Sequence, residues 1–199
     1  SFHTMKYSTT LLLGVGLTLT FLYACGASVH LPIYQTETEW VHLQEWPSGY
    51  PVQTNLSHPT DLEPSILRNI LQRVRYRQST LFTFHMGPPQ PLFSHSQLTL
   101  LASELSQAFA QALPEEVVAF RIRQNPDSTS YTTGFCFLSD HELHLVIQER
   151  EQPDYESPAN QSGPPMMRWE FALQQGQRLL TYQTHSTHYF PHWLVTSFR

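Results

Sequence analysis

Two cysteines, eight glycines and charged residues at only 14% of 199 positions mark what this chain is short of. Two cysteines cannot build the dense disulfide framework of a small secreted domain. Eight glycines against 15 prolines point to stiff, extended connections in place of flexible glycine-rich linkers. The charge balance is formally -5 with a pI near 6.1, and this argues against a nucleic-acid partner, because phosphates call for a basic surface. The longest apolar run falls well below the roughly 20 residues that a helix needs to cross a ~30 Å hydrocarbon core. Also missing are a G-x-S-x-G elbow, an H-E-x-x-H zinc motif and a phosphate-cradling glycine loop. What remains is a hydrophobic content of 40% without a fixed-period repeat, which suits a single mature domain with one core.

The N-terminal part carries the most specific signal. From Met5 the chain reads MKYSTT, then LLLGVGLTLTFLY, then ACG, the three-part layout of a secretory signal peptide. Its apolar run, Leu11 to Tyr23, is about 13 residues long, too short for a lasting span. Residues 1–4, SFHT, precede Met5 and are set apart as upstream or extraneous. Cys25 at the end of this run admits three readings: a disulfide with Cys136, a place in an uncleaved anchor, or a lipid acceptor.

Leu22-Tyr23-Ala24-Cys25 resembles the lipobox of bacterial lipoproteins, with an aliphatic residue, a variable residue, a small residue and the acceptor cysteine. Tyr23 departs from the small or hydroxylic residue usual at its position. The resemblance implies a signal peptide over 1–24, cleavage between Ala24 and Cys25, diacylglycerol on the Cys25 thiol and a further acyl chain on its amine. At ~0.8 kcal/mol per buried CH₂, two or three such chains hold stably where one does not. Gly26 stands where many inner-membrane lipoproteins carry aspartate, so in a cell that has an outer membrane the resemblance implies that membrane, its periplasmic face favoured over the cell surface. Residues 25–38 are then the lipidated N-terminus and tether, and 39–199 the domain. Cys136, in TTGFCFL, reads as a buried, inert thiol.

Within the domain, Thr60-Asp61-Leu62-Glu63 fits a capping box, Pro64 suits a first turn, and Leu62, Ile66, Leu67, Ile70, Leu71 and Val74 recur at helical spacing. Arg68, Arg73, Arg75 and Arg77 then fall in the C-terminal half of that helix, where cations favour the dipole. They read alternatively as a basic patch for lipid headgroups or an acidic partner. Thr80–Phe84 suggests a short strand. A second helix runs from Ser94 to Leu113, with Leu98, Leu101, Ala102, Leu105 and Phe109 on one face, and stops at Pro114.

From Glu116 the period changes to two. Val118, Phe120 and Ile122, then Tyr131 to Phe137, then Leu143, Leu145 and Ile147 predict a three-stranded meander with one apolar face, turning at Ser139-Asp140-His141. Residues 151–165, polar and proline-rich, read as a long mobile loop. Trp169–Leu173 and Leu180–Tyr182 suggest a hairpin across Gln175-Gly176-Gln177, and Trp193–Val195 a last strand. The expected fold class is α+β: two amphipathic helices on a mainly antiparallel sheet of about five to six strands.

The 11 histidines are the chain's obvious candidate metal ligands. His185, His188 and His192 would present three imidazoles together, in zinc-like fashion, only on a helix. Ser186, Thr187, Tyr189, Phe190 and Pro191 oppose a helix there, so scattered histidines are expected and a metal site is the alternative. An offset of four in a strand would still leave His188 and His192 on one side. Ser139-Asp140-His141 are consecutive turn residues, which cannot supply a catalytic triad among themselves. Glu115 and Glu116 read as solvated carboxylates at a helix exit.

These readings converge on a non-enzymatic envelope lipoprotein, an accessory or scaffold subunit without a cofactor beyond its own lipid. Its expected partners are the membrane, through the lipid, and an envelope protein. Candidate contacts are Trp40, Trp46, Tyr50 and Tyr155, aromatics in or near proline-rich loops; the alternative is that the tryptophans cap the domain's own core. A small-ligand or lipid-binding module is the rival from another class.

Overall fold

Along residues 116–123 the chain reads EVVAFRIR, and every one of Val117, Val118, Ala119, Phe120 and Ile122 is buried. Neighbouring residues of a strand point to opposite faces, so both faces of the sheet lie in the interior. The computed structural model describes residues 31–80, 83–125, 127–153, 169–183 and 187–198. The signal segment, Cys25 and the core of the predicted mobile loop lie outside these residues.

The meander forms as expected: β6 (Glu116–Arg123), β7 (Ser130–Ser139) and β8 (Glu142–Pro153) pair in antiparallel order. The two-residue turn between β7 and β8 places Asp140 and His141 at φ 48° and 63°, the left-handed pair that suits the twist of a tight hairpin. Cβ alternation sends Cys136, Leu138, Leu143 and Leu145 to one face and Phe135, Phe137, His144 and Val146 to the other. The expectation of one apolar face is therefore corrected. Gly134 faces Phe120 across β6 and β7, and a Cβ at 134 would run into the Val146 carbonyl oxygen and the Phe120 ring. Glycine is required there for close approach.

The sheet is larger than the five to six strands expected. It has seven, β1-β2-β6-β7-β8-β11-β10, every neighbouring pair antiparallel. β1 (Leu31–Gln35) and β2 (Trp40–Glu45) form one edge, β10 (Gln177–Gln183) and β11 (Thr187–Ser197) the other. Leu31–Gln35 of the predicted tether are thus strand. Thr36 makes the β1–β2 turn, its hydroxyl oxygen accepting from Glu39 N at 2.9 Å and Thr38 N at 3.3 Å.

Two helices lie on the face of Cys136. In α1 (Pro64–Leu71), Leu67, Ile70 and Leu71 are buried as the periodicity predicts. The capping box at Thr60 does not form: Glu63 occupies the cap position without a side-chain bond. Thr60 is otherwise engaged, its N–H donating to Phe109 O at 2.9 Å and its hydroxyl to Ser57 O. In α2 (His95–Gln111), Ser94 caps the helix, and Leu98, Leu101, Ala102, Leu105 and Phe109 are buried. Each fully buried Leu or Phe side chain contributes about 1.5–3 kcal/mol of transfer free energy.

A second, four-stranded sheet was not foreseen. β3 (Arg75–Thr80) pairs with β4 (Thr83–Met86), β5 (Gln90–Pro91) and β9 (Trp169–Phe171). This corrects two expectations. Arg75 and Arg77 belong to a strand and not to α1, and the Trp169 segment pairs with β3, while the hairpin is β10–β11.

Candidate functional site

The face of the sheet opposite the helices is lined by Phe135, Phe137, Trp193 and Val146, all at 0–1% exposure. The loop that follows β2 covers it. Trp46 meets Phe137 edge-on at 5.1 Å and Tyr50 meets Phe135 at 5.0 Å between ring centroids, the T-shaped geometry favoured by ring quadrupoles. Trp46 Nε1 donates to Tyr50 O at 3.4 Å, folding the loop on itself. Trp40 also packs against this cluster and stacks on His42 at 4.1 Å. Three of the four aromatics proposed as partner contacts thus cap the domain's own core, and Tyr155 lies outside the described residues.

Two histidines, His144 and His58, hold this region together. His144 is buried against Phe137, ring on ring at 4.5 Å, and its Nδ1 accepts from Trp193 Nε1 at 3.1 Å. The proton of the neutral ring therefore sits on Nε2, 3.8 Å from Glu142 Oε2. Burial, aided by the Arg178 charge, pushes the imidazole pKa down to about 4. Arg178 and Ser197 both donate to Glu142, at 2.6 and 3.1 Å.

His58 is a clasp between the covering loop and the sheet. Its Nε2 accepts from Leu138 N and its Nδ1 donates to Glu116 O, both at 3.0 Å. Next to it, Ser57 N donates to Leu138 O at 2.8 Å, and Ser139 Oγ to Asn55 O at 2.8 Å. Beyond Cys136, where the pairing of β7 with β6 ends, these residues supply its missing hydrogen-bond partners. Burial lowers the His58 pKa, as its bonds require, since a charged ring would turn Nε2–H against the Leu138 N–H.

Of the proposed metal ligands, only His192 has its side chain among the described residues. His192 stacks flat on Trp169, 4.1 Å between centroids and 7° between planes, and burial lowers its pKa. It sits in a bulge of β11, where Leu179 pairs with Leu194 but Leu180 with Phe190. Position 188 pairs with Tyr182, its side chain and His185 lying outside the described residues. Among the described residues no three His, Cys, Asp or Glu side chains form a metal-sized group. Cys136 is fully buried, and burial raises its pKa far out of the reactive range. Glu116 is engaged, its Oε2 accepting from Leu113 N at 2.8 Å.

Open clefts remain at the surface. One, about 530 Å³, lies where the β1–β2 turn meets the start of α2 and is lined by Tyr34, Glu37, Glu39, Gln97 and Arg123. Its polar groups are fastened to the fold. Arg123 Nη2 donates to Thr38 Oγ1 and its backbone N–H to Glu39 Oε1, both at 2.8 Å. Buried Gln97 accepts from Ser94 N at 2.8 Å and donates to Arg123 O at 2.7 Å. Burial, with Glu39 and Glu104 nearby, raises the Tyr34 pKa. A second cleft, about 450 Å³, is lined by Arg73, Arg75, Phe93 and His95, a basic counterpart to the first. The chain matches no protein-family model, no curated protein and no solved structure.

Proposed function

We propose that the chain is an envelope lipoprotein, held to a membrane through lipid on Cys25, whose domain serves as a non-catalytic accessory or scaffold subunit of an envelope assembly. The observation that carries this reading is Leu22-Tyr23-Ala24-Cys25 at the end of a short apolar run, followed six residues later by β1 at Leu31. Six residues reach at most about 20 Å at ~3.3–3.6 Å each. The β1 edge of the sheet would therefore ride close to the bilayer, with the domain presented at a restricted height.

Two features support a non-catalytic role. The buried titratable groups His58, His144 and Cys136 are neutral and spent on the fold. The space between helices and sheet, where an apolar ligand would have to sit, is filled by Leu67, Leu101, Leu105, Phe109 and Phe120.

Replacing Cys25 by Ser tests the anchor. The native protein is expected to incorporate labelled palmitate and sediment with membranes, and Cys25→Ser to stay unprocessed and unlabelled. Unchanged processing and membrane retention in the variant would refute it. Purification of the anchored protein from mild-detergent extracts of its own membranes tests the assembly: a partner in fixed stoichiometry is expected, and a monodisperse solitary chain counts against the role.

A further inference from the structure

The four arginines between 68 and 77 look in the sequence like charges complementing a helix end. The fold removes that explanation for two of them, because α1 ends at Leu71 and Arg75 and Arg77 lie on β3. Arg73 and Arg75 instead line one concave surface of about 450 Å³, between the end of α1, β5 and the first turn of α2. His95, on that first turn, stands with them.

Arg73 and His95 are set in place by their surroundings. Arg73 Nη2 donates to Gln175 O at 2.5 Å. Arg68 braces His95 from behind, Nη2 lying 3.3 Å from both ring nitrogens and Nη1 donating to Thr99 Oγ1 at 3.0 Å. Arg75 is half-buried. Buried Phe93 and Leu98 make an apolar floor. Among the described residues lining the cleft there is no carboxylate, although the chain as a whole is acidic at -5. Two guanidiniums, an imidazole and the positive end of a 17-residue helix therefore converge on one concavity.

We propose that this cleft binds a phosphate-type oxyanion, with the apolar floor taking the carbon portion attached to it. Guanidinium groups suit such a ligand because their paired N–H donors match the spacing of two phosphate oxygens. The ligand can be the headgroup of an anionic lipid or a free phosphate ester, and the chemistry of recognition is the same for both. The inference does not depend on lipid at Cys25.

The test follows the arginine side-chain Nε–H signals of the purified full-length protein in neutral detergent while inorganic phosphate is added, with ionic strength held constant by chloride. Saturable shifts at Arg73 and Arg75, with Arg121 and Arg178 unmoved, are the expected result. Arg73→Gln with Arg75→Gln is expected to weaken binding by about tenfold or more, and Arg73→Lys with Arg75→Lys by less, since the charge survives. Shifts that fail to saturate or that appear equally at Arg178, or an undiminished phosphate affinity of the double Gln variant by calorimetry, would overturn the site. If that variant does not fold, the arginine-resolved titration of the native protein decides alone. Short-chain soluble lipids separate the two sources. Displacement of phosphate by dihexanoyl phosphatidylglycerol but not by dihexanoyl phosphatidylcholine identifies a lipid headgroup; displacement by neither, alongside saturable phosphate binding, identifies a soluble phosphate ester.

Discussion

The two faces of the seven-stranded sheet are buried by opposite means. On one side α1 and α2 supply an aliphatic layer around Leu67, Leu71, Leu101 and Leu105; on the other a loop supplies Trp46, Tyr50 and Leu56 over Phe135, Phe137 and Trp193. A helix satisfies its own backbone and needs only apolar side chains to cover a sheet. A loop has no such internal ladder, so its N–H and C=O groups must find partners on the sheet itself. Ser57 and His58 provide them, and a few large rings bury the area that many leucines bury opposite. The loop side therefore depends on single polar contacts, and the helix side does not.

The largest break in this comparison is expected from Trp193→Ala, which empties the centre of the aromatic cluster and leaves His144 Nδ1 without its donor. A loss of about 3–5 kcal/mol is expected by denaturant titration. The loss of hydrogen-exchange protection below global unfolding should be confined to the loop-covered side. If α2 loses protection first, the two faces are not separable.

Acid should act through the same side. His144 is held near a pKa of about 4 in the folded chain, below its ordinary 6.5. Between those values the unfolded chain binds a proton that the folded chain refuses. The contribution is thus fully present above pH 6.5 and lost as pH falls to about 4, up to about 3 kcal/mol. His58 is shifted the same way and adds to the slope. In His144→Gln, which keeps an acceptor for Trp193, the slope of stability against pH over this window should shrink. An unchanged slope would place the acid sensitivity elsewhere.

The smallest effect belongs to the helix side. Ser94→Ala removes the hydroxyl that accepts from Gln97 N at 3.3 Å and should cost about 1 kcal/mol. Because no titrating group takes part, the loss should be the same at pH 5 and pH 8. A loss that varies with pH would tie the cap to the acid-sensitive region.

Legibility in the sequence followed the range of the interactions. The Leu98, Leu101, Leu105 and Phe109 repeat announced α2 because such a stripe acts within a turn or two. The 139–141 turn was legible for the same reason. The Thr60 box was also well formed on paper, yet the hydroxyl of Thr60 went to Ser57 O and its N–H to Phe109 O, a competition invisible locally. Continuous runs such as Val117–Phe120 and Phe135–Leu138 were the available sign of a sheet buried on both faces, since strict alternation would have left polar residues between them. For His144 and His58 no local signal existed, because their partners lie 49 and 58 or 80 residues away.

By itself the sequence determined the meander, the second helix, the α+β class and the short apolar run ending at Cys25, all of them set by periodicity and neighbours. Only the tertiary structure decided that β9 leaves β10 for β3, that Leu31–Gln35 joins the sheet edge, and that Arg73 and Arg75 face one cleft with His95. Pairing partners and shared clefts depend on which distant segments close together, and a pattern within one segment carries no record of that choice.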